Sequence, residues 1–94
     1  MDFEWNLLKD RTNRRKHRVG FDEALTVFAD PLARIFGDPD HSAEEARELI
    51  IGHSSRERLL IVSFTENKGR VRIISARLAT TAERREYEQN TSKS

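Results

Sequence analysis

The chain has 94 residues, of which 36% are apolar and 35% charged, and its formal net charge is +1. This length supports one compact core, and the apolar residues cluster in alternating runs, which argues against disorder. There is no cysteine, which excludes disulfides and thiolate metal sites, and the three histidines lack metal-ligand spacing, so we expect no metal or other cofactor. The longest apolar run is too short to cross a bilayer and the first residues do not resemble a signal peptide, so we expect a soluble, cytoplasmic protein that makes no membrane contact.

The first third of the chain predicts a short extended piece at residues 3–5 followed by two helices. The first helix spans residues 8–17 and ends before Gly20, which can adopt the left-handed conformation of a helix cap. In the second helix, residues 21–30, Phe21, Leu25 and Phe28 lie on one face. A Pro at position 31 ends it.

Beyond Pro31 the apolar period changes to two, which predicts four strands, at residues 32–36, 48–54, 58–66 and 70–77. A turn-rich loop follows the first strand and a hairpin turn precedes the fourth, and such short connections make neighbouring strands antiparallel. Residues 80–89 predict a last helix. We therefore predict a small α+β domain over residues 1–90, with two N-terminal helices, a four-stranded, largely antiparallel sheet and a C-terminal helix, and a disordered tail at residues 91–94.

The fourth strand carries more positive charge than a strand that only fills a core. By alternation its residues Arg70 and Arg72 share one face, whereas the large apolar residues of the third and fourth strands face the helical hairpin. Arg58 and Arg77, at strand ends, fall on the opposite face from Arg72 under strict alternation. A β-bulge near Ser75 would be needed to bring Arg77 round to Arg72.

Guanidinium groups that converge in this way are suited to a phosphodiester, because they bind phosphate with two hydrogen bonds and stabilise the charge of a pentacoordinate transition state. Arginine is a poor base, so a general acid or base would come from His17, Lys9, Glu83 or Tyr87. Residues 9–18 form a basic cluster that can bind phosphates or can simply be a solvated helix face. His17 could equally cap its helix.

The residues in order resemble the BrnT family of type II toxins from Phe3 to Glu88, through "FEWN", "KH..GF..A..VF.DP", "D..HS..EAR", "RLLIVSFTE" and "VRIISARLAT..ERREYE". The matching positions with polar side chains are Lys9, Asn13, Lys16, His17, His41, Ser42, Arg58, Arg72, Arg77, Glu83 and Tyr87. In two places the chain departs from the family pattern: Arg18 stands where a Gly is expected, and Ala46 precedes Arg47 where Glu-Arg is usual.

The resemblance implies a RelE/ParE-like fold and a metal-independent endoribonuclease that inhibits translation, with the RNA 2′-hydroxyl as nucleophile. It also implies a BrnA-like ribbon-helix-helix antitoxin that neutralises the toxin in a hetero-oligomer and through which alone the pair binds operator DNA. The expected catalytic residues are Arg58, Arg72, Arg77, His17 and Lys9, and the expected RNA-binding residues are Arg14, Arg15, Lys16 and Arg70. The alternative is a non-catalytic protein-binding module that pairs with a DNA-binding partner.

Overall fold

The computed structural model describes residues 1–37 and 46–92, with the side chains described as far as Asn90. Its strands are β1 Asp2–Glu4, β2 Arg34–Gly37, β3 Glu48–His53, β4 Leu59–Asn67 and β5 Arg70–Leu78. Its α-helices are α1 Leu7–His17, α2 Phe21–Ala24 and α3 Thr81–Ser92, and a 3₁₀ helix spans Leu25–Ala29. The expected positions His41 and Ser42, and most of the predicted loop after the first strand, lie outside the described residues.

The strands form one mixed sheet in the order β1-β5-β4-β3-β2. β2 to β5 are antiparallel neighbours, as predicted, but β1 pairs in parallel with β5, Asp2 opposite Arg70 and Glu4 opposite Arg72. The prediction of four strands was therefore wrong by one. Three residues are too few to show a period of two, so the extended piece could not be identified as a strand before its partner was known.

The second predicted helix is divided in two. Only Phe21–Ala24 is α-helical, and the 3₁₀ helix follows at once. At the junction the Thr26 hydroxyl donates a 2.6 Å hydrogen bond to the carbonyl oxygen of Glu23. Such side-chain bonds to the preceding turn compete with the regular α-helical pattern, and 3₁₀ geometry is common where a helix ends.

The end of α1 also differs from its prediction. Arg18 is the left-handed residue, with φ of 60°, and its N–H donates to the Arg14 carbonyl oxygen, whereas Gly20 is extended with φ of −90°. The turn therefore occurs at the position where the family pattern has Gly, although this chain has Arg there. A non-glycine residue in this conformation is strained by about 1 kcal/mol.

The two faces of the sheet divide the apolar residues as the alternation predicts. On the first face Val19, Phe21, Ala24 and Val27 pack against a buried set from β3, β4 and β5: Ile50, Leu60, Val62, Phe64, Val71, Ile73 and Ala76. On the second face, Tyr87 of α3 packs against Ile51, Leu59 and Ile61. Helix α2 thus lies on one side of the sheet and α3 on the other, while α1 packs against β5.

Helix α3 begins with a capping box at Thr80 and Glu83. The Glu83 N–H donates to the Thr80 hydroxyl oxygen at 3.1 Å, and the Thr80 N–H donates to the Glu83 carboxylate at 2.8 Å. The helix continues to Ser92, three residues beyond its predicted end. Disorder of the last residues stays a prediction.

Candidate active site

Three basic side chains of α1, those of Lys9, Lys16 and His17, line a cleft between α1 and β5. Lys9, Asn13 and Lys16 follow one another at helical spacing, and His17 ends the helix. The opposite wall of the cleft is Ile74 and Ser75 of β5. We call this space, about 300 Å³ in volume, the α1–β5 cleft; its lining is Leu8, Lys9, Thr12, Asn13, Lys16, His17, Ile74 and Ser75.

Asn13 fixes α1 against β5. Its side-chain amide donates to the Ala76 carbonyl oxygen at 2.8 Å and accepts from the Ala76 N–H at 3.2 Å, so it pairs with β5 as a neighbouring strand would. The same amide nitrogen donates to the Val19 carbonyl oxygen at 2.8 Å, just past the helix end. The buried amide thereby sets where Lys9, Lys16 and His17 stand relative to the strand.

The wall of the cleft on β5 contains a β-bulge. Ser75 lies opposite Ser63 and Ile73 lies opposite the next residue, Phe64, so Ile74 has no partner of its own in the register. An extra residue shifts the alternation by one. Arg77 lies opposite Ile61 and Arg72 lies opposite Thr65, so the two arginines fall on the same face of the sheet. This is the bulge that the sequence needs if the two arginines are to share a face.

Arg70 and Arg72 belong to a second, larger depression at the β1 edge of the sheet. Its volume is about 510 Å³ and its lining is Asp2, Glu4, Thr65, Asn67, Lys68, Arg70 and Arg72. Arg72 is half exposed and lies 3.6 Å from the Glu4 carboxylate, whereas Arg70 has no ion-pair partner among the described residues. Both guanidinium groups can reach a ligand that crosses this edge.

Arg77 is occupied by Glu83, although the bulge turns it to the expected face. Its two terminal nitrogens donate to the two carboxylate oxygens of Glu83 at 2.8 and 2.9 Å. The hydrogen bond from Arg77 is the main reason that the pKa of Glu83 falls to about 2. A carboxylate held so far below neutral pH cannot serve as a general acid or base there.

Arg58 stands on the first face, away from Arg72 and Arg77. Its Nε donates to the Glu23 carboxylate at 2.9 Å, and a terminal nitrogen donates both to that carboxylate and, at 3.0 Å, to the Arg18 carbonyl oxygen. The hydrogen bond from Arg58 lowers the pKa of Glu23, and the same bond raises the pKa of Arg58. The structure thus does not bring the three expected arginines together.

The expected RNA-binding residues of α1 also separate. Arg14 contacts Asp10 at 3.2 Å and Asp22 at 2.9 Å, so its charge is balanced. Arg15 and Lys16 are exposed and have no ion-pair partner in the described part of the chain. These two, with Lys9 and Arg11, carry the positive charge that α1 leaves for a ligand in the described part of the chain.

A polar cluster that the sequence did not indicate joins Asp30, His53 and Tyr87. The Tyr87 hydroxyl donates to the Asp30 carboxylate at 3.2 Å and lies 3.5 Å from His53 Nδ1. The backbone N–H of His53 donates to the same Asp30 oxygen at 2.7 Å. Burial raises the pKa of Tyr87, and the negative charge of Asp30 raises it further. Tyr87 is thus a protonated donor that holds α3 to the sheet. Of the four candidates for a general acid or base, this leaves His17 and Lys9.

Neither Asp30 nor Glu23 was a candidate from the sequence. In the sequence, Asp30 stands beside the helix-ending Pro31 and Glu23 stands near the start of the second predicted helix, so neither indicates a partner. Burial of Asp30 tends to raise its pKa, but hydrogen bonds from the backbone N–H groups of His53 and Leu32 outweigh this effect and leave the pKa lowered.

Among residues 1–37 and 46–92 no group of three or more His, Cys, Asp or Glu side chains could hold a metal ion. None of the helices in those ranges is long and apolar enough to cross a membrane.

The comparisons with known proteins agree with one another. The model of the family described as "Ribonuclease toxin, BrnT, of type II toxin-antitoxin system" matches residues 5–83. A crystal structure of the Brucella abortus ribonuclease toxin, BrnT, is similar in fold, with a TM-score of 0.67 and 24% identity over 86% of this chain and 99% of that one. No curated protein matches the chain. The family match covers most of the chain, which therefore belongs to the BrnT family of ribonuclease toxins of type II toxin–antitoxin systems.

Proposed function

We propose that this protein is a metal-independent endoribonuclease toxin of RelE/ParE-like type, which cleaves RNA in the α1–β5 cleft and thereby inhibits translation in the cytoplasm. One observation carries the proposal: Lys9, Lys16 and His17 line one cleft, and none of the three has a carboxylate partner among the described residues. Lysine ammonium groups whose charge no carboxylate balances can stabilise a negatively charged substrate, and the imidazole beside them can exchange a proton with it.

In the proposed reaction the imidazole of His17 takes the proton of the RNA 2′-hydroxyl, and the 2′-oxygen attacks the adjacent phosphorus. The ammonium groups of Lys9 and Lys16 stabilise the negative charge of the pentacoordinate transition state. The bond from phosphorus to the 5′-oxygen then breaks, and that oxygen takes a proton from a lysine ammonium group. The products are a 2′,3′-cyclic phosphate and a 5′-hydroxyl end. Imidazole suits the first step because a neutral ring carries one nitrogen that can accept a proton.

The remaining expected residues have binding or structural roles in this proposal. Arg72 lies two residues along β5 from Ile74, which is roughly 7 Å at the rise of a strand, so one RNA strand can cross both the cleft and Arg72. Arg70 and Arg72 bind flanking phosphates, and Arg15 of α1 contributes electrostatic attraction. Arg58, Arg77 and Arg14 are neutralised by carboxylates and support the fold.

The balanced charges of Arg58 and Arg77 favour the alternative function, a non-catalytic module that only pairs with a DNA-binding partner. Incubation of the purified protein with single-stranded RNA in EDTA separates the two. The nuclease proposal expects cleavage in EDTA, with 2′,3′-cyclic phosphate and 5′-hydroxyl ends, and no cleavage by His17→Ala. Intact RNA at every protein concentration would favour the binding module.

We further propose that the antitoxin is a BrnA-like ribbon-helix-helix protein, that toxin and antitoxin form a hetero-oligomer, and that this complex contacts operator DNA only through the antitoxin. Type II membership requires a protein antitoxin, which supports the first part. Expression of the toxin alone should arrest growth, and co-expression of such a protein should restore growth and co-purify with the toxin. Binding of operator DNA by the purified toxin alone would contradict the last part.

A further inference from the structure

The Glu23 carboxylate is almost completely buried and yet ionised. Its side chain is 4% exposed, and it accepts hydrogen bonds from the Ser54 hydroxyl at 2.7 Å and from two nitrogens of Arg58. The Ser54 hydroxyl oxygen also accepts the N–H groups of Arg56 and Arg58, at 3.2 and 3.4 Å. A buried charge is tolerated only when it is paired and hydrogen-bonded, so this network holds α2 to the β3–β4 turn.

The Arg58 guanidinium also contacts the backbone of the residue that follows α1. Arg58 donates to the carbonyl oxygen of Arg18, the strained left-handed residue that directly follows His17. The backbone at Arg18 is therefore held from outside by a side chain on another element, which is itself fixed by Glu23. His17 directly precedes Arg18.

We propose that Glu23 and Arg58 are positioning residues for the α1–β5 cleft: their ion pair holds the Arg18 carbonyl and so keeps the His17 imidazole in place for catalysis. The inference rests on the proposed role of His17. It gives Arg58 a task different from the binding of the scissile phosphate, because its guanidinium is already shared between the Glu23 carboxylate and a backbone carbonyl.

Steady-state kinetics of Glu23→Gln distinguishes the two tasks by the direction of the change. If Arg58 bound phosphate, loss of the neighbouring negative charge would free it for RNA, and KM would fall with kcat unchanged. If the pair positions His17, kcat falls roughly 10-fold with KM unchanged, because small misplacements of a reacting group are costly. A lower KM with the kcat of the wild type would overturn the proposal.

The double variant Glu23→Leu/Arg58→Met removes both charges together, since an apolar pair of similar volume usually preserves folding. Its kcat should fall about 100-fold while KM stays within a factor of about two. Arg58→Lys keeps one charge beside Glu23 but lacks the planar fork, so its kcat should lie between those of the wild type and the double variant. Wild-type kcat in the double variant would refute the positioning role.

Arg56→Met is the matched control, because Arg56 lies in the same turn, is exposed and hydrogen-bonds to the network only through its backbone N–H, although its charge also helps to lower the pKa of Glu23. It removes one positive charge, as the Arg58→Met half of the double variant does, and should keep the wild-type kcat. An equal fall in kcat for Arg56→Met would mean that the loss of charge, and not of position, caused the effect.

The imidazole resonances of His17 test the positioning without RNA. In the double variant, the NMR signals of His17 should shift and broaden, while in Arg56→Met they should stay as in the wild type. Unchanged His17 signals in the double variant would overturn the positioning role. If the wild type cleaves no RNA, the proposed function fails, but this comparison of His17 signals still decides the inference.

Discussion

Basic side chains lie both in the α1–β5 cleft and in the two arginine–glutamate pairs, but among the described residues only those in the pairs are balanced by a carboxylate. In the pairs, Arg58 and Arg77 each give two hydrogen bonds to a carboxylate. In the cleft, Lys9, Lys16 and His17 have no such partner among the described residues. The number of basic residues in a segment thus says less about function than whether their charge is already balanced. Substitutions in the cleft should therefore change activity, and substitutions in the pairs should change stability or the position of His17.

His17→Ala should have the largest effect, on activity alone. Loss of a general base lowers the rate of RNA cleavage by about 10²- to 10⁴-fold, and because His17 has no side-chain hydrogen bond among the described residues, the melting temperature should change little. The measurement is kcat together with a thermal melt. His53→Gln is the control, an imidazole on the other side of the sheet, and should retain activity. Similar losses in both variants would show that the cleft is not the special region.

Lys9→Ala/Lys16→Ala should weaken RNA binding and its salt dependence. Each lost contact to a single-stranded phosphate lowers the slope of log K against log salt by about 0.7, so the pair should lower it by roughly 1.4. Binding is measured by fluorescence anisotropy over a range of salt, with a non-cleavable RNA. Arg84→Ala/Arg85→Ala removes two exposed charges from α3 as a control. An unchanged slope for the cleft variant would place the RNA elsewhere.

The Arg77–Glu83 pair should reveal itself in stability against pH. The pKa of Glu83 is lowered from 4.5 to about 2, so the pair stabilises the folded state above pH 4.5, and this contribution is lost as the pH falls toward 2. Both side chains are partly exposed, which screens the interaction, so we expect only about 1–2 kcal/mol. Urea unfolding of the wild type and Glu83→Gln at several pH values measures it. In Glu83→Gln the loss of stability in this window should be smaller; identical profiles would mean that the pair contributes nothing.

Arg18→Gly should stabilise the protein, because glycine adopts the left-handed conformation without strain. The expected gain is about 1 kcal/mol, which corresponds to a rise in melting temperature of roughly 4–8 °C for a chain of this size. Gly20, which is extended and not left-handed, gives the contrast: Gly20→Ala should bring no such gain, since an added Cβ would lie 2.6 Å from the Asp22 carboxylate. A less stable Arg18→Gly protein would mean that the Arg18 side chain matters more than its backbone.

Alternation was enough to predict which large apolar residues of β4 and β5, as far as Ile73, face α2, because successive side chains of a strand point to opposite faces. It could not locate the site. A bulge at Ile74 turns Arg77 to the face of Arg72, and the apolar pattern of a strand does not show where an extra residue interrupts its pairing. Arg58 pairs with Glu23, which lies 35 residues away, and such a partner becomes visible only after folding. The basic face of α1 could be predicted because its residues are close in sequence.

Asn13 has a consequence for how the sheet ends. β1 covers β5 only from Arg70 to Arg72, which leaves the outer edge of β5 beyond it without a strand. The Asn13 amide occupies the backbone groups of Ala76 that a further strand would use. Open edges invite pairing with other chains, and short or blocked edges prevent it. One buried amide therefore both sets the geometry of the cleft and keeps this edge of a toxin from joining the sheet of another copy.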